Sequence, residues 1–173
     1  WFLANKPRYE KDVKEPFLNL IEELRLRLLP SEPDFANIEA KKMIFRLHRD
    51  TRFAKDKSPY KTHVSGLISP LGTKDKSYPS NYLQISSKEV FVAGGIYWFE
   101  EKELLERVRN YILKDSERFS KLISDKKFVE KYGEIKGDKN KRLPKEFVEF
   151  EKVQPLIANK QFYWAATFDP NSL

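Results

Sequence analysis

From Phe45 to His63 the chain reads Phe-Arg-Leu-His-Arg-Asp-Thr-Arg-Phe-Ala-Lys-Asp-Lys-Ser-Pro-Tyr-Lys-Thr-His, its densest concentration of groups that bind or transfer charge. Arg46, Arg49 and Arg52 carry planar, permanently charged forks that match the paired oxygens of a phosphate or carboxylate. Lys57 and Lys61, with Lys55, add mobile point charges. Asp50 and Asp56 can pin the arginines or act as bases. Tyr60 and His63 can donate or accept protons beside them. The chemistry this suggests is recognition of a small anion, phosphorylated or otherwise. Asp50 and His63 are the candidates for proton transfer if a reaction takes place.

The charge distribution singles out the same stretch. Residues 42–63 hold seven Lys or Arg against two acids, together with both histidines, so they supply +5 of the net +7 of a 173-residue chain. Residues 1–41 sum to −1 and residues 101–173 to +3. A local cationic excess attracts phosphates, carboxylates or nucleic acid. The plainer meaning of such a run is a solvated face whose acids and bases pair among themselves.

Other chemistries are excluded or unsupported. There is no cysteine, which removes disulfides, thiolate metal sites and cysteine nucleophiles. The two histidines stand fifteen residues apart, so no metal site is expected. The six glycines form neither a dinucleotide fingerprint nor a Walker loop. No apolar run is long enough for a membrane helix, and the start Trp1-Phe2-Leu3-Ala4-Asn5-Lys6 is no signal peptide. A cytoplasmic location is the expectation, with the nucleus as the alternative. No cofactor follows from the residues.

The elements that must position the motif are legible from periodicity. Residues 5–29 read as a helix capped by Asn5, with Val13, Phe17, Leu20, Ile21, Leu24 and Leu28 on one face and a kink or split at Pro16. Residues 42–49 alternate as a strand, with Met43, Phe45 and Leu47 opposite Arg46 and His48. Residues 63–69, 82–86, 90–99 and 161–168 are further strands, and helices run from Glu100 to Ile112, over 116–124 and over 125–132. Gly94-Gly95, inside a strand, implies a bulge or close backbone approach. Pro59 orders the loop after Phe53, and Phe53 is read as a core anchor beneath it. The fold class is α+β: an antiparallel sheet of about four to five strands packed with helices, a single domain over 1–173.

The motif resembles that of the conserved hypothetical proteins called domain of unknown function 2461, Arg-x-x-Arg-Asp-x-Arg-Phe-x-x-Asp-Lys-x-Pro-Tyr-Lys, at Arg46, Arg49, Asp50, Arg52, Phe53, Asp56, Lys57, Pro59, Tyr60 and Lys61. Trp1-Phe2, Asn5-Lys6, Tyr9, Pro16-Phe17, Gly94-Gly95 with Tyr97, and Arg142-Leu143-Pro144-Lys145 extend the likeness across the chain. Members of that family usually run longer at both ends, so a leading helical segment and a carboxy-terminal helix are expected beyond this sequence. The resemblance implies a shared fold and site region, and no reaction. Three readings remain: an anion site, with ligand-binding Arg46, Arg49, Arg52, Lys57, Tyr60 and Lys61; a salt-bridged scaffold; and weak nucleic-acid binding. Oligomeric state is not legible.

Overall fold

The computed structural model describes residues 1–74 and 78–172. Its frame is a four-stranded antiparallel sheet, β1 (His63–Ile68), β2 (Ser80–Ser86), β3 (Val90–Ile96) and β4 (Phe162–Phe168), in that order. The class is α+β, as expected. β1 and β2 pair from His63 opposite Ser86 to Ile68 opposite Asn81. The turn into β3 is closed by Ser86, whose Oγ accepts the Lys88 and Glu89 N–H groups, each at 3.1 Å.

The described residues divide into two compact units. The first contains α1 (Phe2–Tyr9), α2 (Glu15–Leu28), β1, β2, the start of β3 and the end of β4. α1 begins three residues before the expected cap. Asn5 lies inside it, and its side-chain amide donates back to the Trp1 carbonyl at 2.9 Å. Pro16 splits the helical run through a π-helical turn over Glu10–Lys14, where the Glu15 N–H donates to the Glu10 carbonyl. A proline supplies no N–H to the turn behind it, and a wider turn absorbs that loss. Phe17 and Ile21 of α2 then reach a core of Phe35, Ile38, Met43, Ile68, Leu83 and Val90.

Residues 42–49 do not form a regular strand. Met43 closes a 3₁₀ turn, and the extended chain after it pairs by isolated bridges, Ile44 with Gly66 and His48 with Tyr60. The expected alternation survives: Arg46 and His48 are exposed, while Phe45 and Leu47 are half-buried.

The second unit holds the rest of β3 and β4 with α3 (Lys102–Lys114), α4 (Ser116–Ile123), α5 (Lys126–Tyr132) and α6 (Lys145–Val148). Side-chain caps separate α4 from α5. Asp115 accepts the Arg118 N–H, and Asp125 accepts those of Lys127 and Phe128. The core of this unit joins Ile112, Phe147 and Ile157.

Candidate functional site

The loop that carries the motif neutralises much of its own charge. Arg52 grips Asp50 with two nitrogens, Nη2 to Oδ2 at 2.6 Å and Nε to Oδ1 at 3.0 Å. Arg49 pairs with Asp56, whose other oxygen accepts the Ser58 N–H at 2.9 Å and the Ser58 hydroxyl at 2.5 Å. Lys57 donates to the Thr51 carbonyl at 2.8 Å, and the Arg49 N–H to that of Pro59 at 2.9 Å. Arg49, Arg52 and Lys57 thus tie residues 49–59 into one exposed, internally bonded loop.

Both carboxylates titrate low as a result. The Arg52 side chain and then its backbone N–H hold Asp50 down at about 2. The Ser58 hydroxyl and then the Arg49 guanidinium hold Asp56 well below the ordinary aspartate range. An acid whose pKa is depressed by folding stabilises the folded form above its unfolded value, near 4, and loses that contribution as pH falls toward its folded value. Protection of the 50–58 amides, measured against their intrinsic exchange rates, should therefore fall between about pH 4 and pH 2. In an Asp50→Asn/Asp56→Asn variant protection should be low throughout, with that dependence gone. An unchanged pH profile in the double variant would mean that the pairs do not order the loop.

Phe53 is not a core anchor. It is 95% exposed, with the Arg52 guanidinium carbon 5.9 Å from its ring centroid. The loop is pinned by its polar pairs, so no apolar anchor is needed beneath it.

Of the remaining candidate residues, Arg46, Lys61 and His63 lie along two clefts in the first unit, and Tyr60 lines neither. One, of about 540 Å³, runs between the α1–π segment and the 44–48 stretch; Phe2, Lys6, Lys14, Lys41, Arg46 and His48 are among the residues lining it. Its lining carries four cations, Lys6, Lys14, Lys41 and Arg46, against one acid, Glu10. Lys14 faces Glu10 at 3.8 Å and Lys41 faces Glu39 at 2.5 Å. Arg46 and Lys6 have no ion-pair partner among the described residues. Beside the cleft, Phe2 stacks on Tyr60 at 4.9 Å between centroids, and Tyr60 lies 5.2 Å from the His48 ring. Tyr60 therefore packs among aromatic rings.

The second cleft, of about 560 Å³, lies between the π turn, α2 and the β1–β2 pair, and Lys61 and His63 open onto it. Burial, and then the nearby Arg46 charge, lower the Lys61 pKa. Burial, and then Lys61, lower that of His63, which favours its neutral form. No hydrogen bond from another side chain orients the His63 ring among the described residues, so the triad logic of an activated base has no second member here.

Thus Arg46 joins one cleft and Lys61 and His63 the other, while Asp50, Arg49, Arg52 and Lys57 line neither. Lys6, Lys14 and Lys41 escaped the motif-based reading because the net charge of residues 1–41 averages them away. Lys6 and Lys14 belong to the mixed-charge polar side of the amphipathic run at 5–29, and Lys41 lies outside it. Among the described residues no group of three or more His, Asp or Glu could hold a metal ion, and no helix is long and apolar enough to cross a membrane.

No curated protein and no solved structure matches the chain. One family model covers residues 1–173, and it includes the whole arginine loop, the π turn behind it and both clefts. The chain belongs to that family, the conserved hypothetical proteins of domain of unknown function 2461.

Proposed function

We propose that the protein binds a small anionic ligand, such as a phosphate ester or carboxylate, in the cleft lined by Lys6, Lys14, Lys41 and Arg46. The observation that carries this reading is the unpaired guanidinium of Arg46, set among cations whose lining includes a single acid. A fork with both edges available can take two oxygens of one ligand, and neighbouring lysines neutralise what remains. The aromatic group of Phe2, Tyr60 and His48 forms a firm wall beside it. Arg49 and Arg52 serve the loop, which holds the segment after Arg46 in place. The motif thus divides between a scaffold and a site.

Titration calorimetry at low salt with inorganic phosphate, pyrophosphate and nucleoside phosphates tests the assignment. Arg46→Gln should weaken binding about tenfold, the equivalent of ~1.4 kcal/mol. Arg52→Gln, outside the cleft, should leave the Kd within about twofold. Absence of heat and of thermal stabilisation with every anion would overturn the proposal. Tighter binding to random-sequence duplex DNA, falling steeply with salt, would replace it with a nucleic-acid role.

A further inference from the structure

The cleft that holds Arg46 is larger and more aromatic than a bare anion requires. Its volume of about 540 Å³ is that of a site for an organic ligand, and inorganic phosphate would leave most of it empty. Phe2, Tyr9, Phe45 and His48 bring aromatic rings to its lining. Phe2, Lys6 and Tyr9 stand four and seven residues apart on α1, so one helix face carries two rings with a cation between them. The Phe2 ring centroid lies 6.5 Å from that of Tyr9 and 6.0 Å from that of His48, which joins this face to the extended stretch across the cleft. Arg46 and His48 share the exposed side of that stretch, two residues apart. Tyr60 does not line the cleft, yet it stacks on Phe2 at an interplanar angle of 23°. Phe2 is thus backed by protein and held in one orientation, with its half-buried remainder turned to the lining.

The free charge of the lining sets the valence of its ligand. Lys14 faces Glu10 and Lys41 faces Glu39, which leaves Arg46 and Lys6 without an ion-pair partner among the described residues. A phosphate monoester carries about two negative charges near neutral pH and matches that pair better than a carboxylate with one.

We infer that the ligand is a phosphate monoester bearing a planar aromatic group, as in a mononucleotide, with its phosphate on Arg46 beside Lys6 and its ring against Phe2 and His48. The inference rests on the anion site proposed above and adds the chemical class of its ligand. A small aliphatic phosphate would satisfy the charges and leave the aromatic wall in water. A neutral aromatic molecule would cover the wall and leave the cations unmatched.

Calorimetry at low salt on the whole chain tests this with adenosine monophosphate, glycerol 3-phosphate, inorganic phosphate and adenosine. Adenosine monophosphate should bind about tenfold or more tighter than glycerol 3-phosphate, which has the same charge and no ring, because a base gains that much by stacking on aromatic side chains. It should exceed adenosine, which has the ring and no charge, by about tenfold or more. Phe2→Leu should abolish the advantage over glycerol 3-phosphate and leave inorganic phosphate within about twofold. His48→Ala, at an exposed position, should reduce that advantage about threefold. If adenosine monophosphate and glycerol 3-phosphate bind equally, the inference falls and the anion site stands. If Phe2→Leu weakens inorganic phosphate as much as adenosine monophosphate, Phe2 shapes the cleft rather than holding a ring, and the inference falls as well. Should Phe2→Leu fail to fold, His48→Ala decides, and an undiminished advantage overturns the inference. If adenosine binds as tightly as its monophosphate, or if no phosphate binds, both proposals fall together.

Discussion

Gly95→Ala is expected to destabilise the protein by about 4 kcal/mol or more, enough to leave much of the population unfolded. Two effects combine. Gly95 has φ +122°, a backbone conformation that side-chain-bearing residues rarely adopt. In addition, a methyl group there would lie 2.1 Å from the Phe162 carbonyl oxygen and 2.8 Å from the Tyr163 Cα. Both contacts are backbone, so no rotamer change relieves them. β3 would have to separate from β4, breaking the ladder in which Phe162 and Tyr163 lie. Gly133→Ala is the matched control. Gly133 also has positive φ, +74°, but nothing lies within 4 Å of an added methyl group. It should cost only the conformational term, ~1 kcal/mol. Urea unfolding of the two variants separates steric exclusion from backbone preference. A Gly95→Ala midpoint as little shifted as that of Gly133→Ala would refute the close approach.

The tight spot at Gly95 was legible from the sequence, because a glycine pair inside an alternating run has few other meanings. The cause, the carbonyl of Phe162, was not, since it comes from a segment more than sixty residues away. The same division holds elsewhere. The β2–β3 hairpin and the break between α4 and α5 follow from local rules, namely alternation, a Ser-closed turn and an aspartate cap. Asn5 followed the same local rule and failed it. An asparagine before a helical run reads as a cap, but the helix had already begun at Phe2, and the side chain turned back to Trp1. Phe53 failed because hydrophobicity predicts burial only where apolar contacts order the segment. Here two ion pairs and a lysine do so.

The candidate site was partly legible for a related reason. Composition marks an excess of cations over 42–63 but does not say which carboxylate takes which arginine. Asp50 lies two residues from Arg52 and Asp56 seven from Arg49, and these local pairings remove both arginines from consideration. What remains is Arg46, whose partners in the cleft lie on α1, on the π turn and just before Met43. Only the fold of the first unit brings Lys6, Lys14 and Lys41 beside it. The lysines beside Arg46 come from segments that are unremarkable in charge, so they leave no mark in a running tally.

Arg109 is the opposite case: a permanently charged residue that the structure buries. It is 2% exposed on α3, without a carboxylate within ion-pair distance among the described residues. Its Nε donates to the Ile157 carbonyl at 2.8 Å and its Nη2 to the Asn159 carbonyl at 3.2 Å, and the guanidinium lies 5.5 Å from the Phe147 ring centroid. Burial lowers its pKa and the more distant Glu106 and Glu146 raise it. The guanidinium stays charged in either case, because arginine titrates far above physiological pH. One side chain therefore supplies two donors to a turn, Pro155–Ala158, that has no strand or long helix to satisfy it. Arg109→Leu keeps the apolar stem but strands two carbonyls, and should cost about 3 kcal/mol in urea unfolding. Arg109→Lys retains a donor that can reach one carbonyl and not both in the same geometry, and should fall between the two. The ordering matters more than the size. A buried charge is itself expensive, and apolar replacements of buried ionic groups are sometimes neutral or stabilising. If leucine proves as stable as arginine, desolvation cancels the two hydrogen bonds, and Arg109 does not hold the 155–159 turn to α3. If leucine is worst and lysine intermediate, the donors hold the turn, and the charge is the cost of supplying both from one residue.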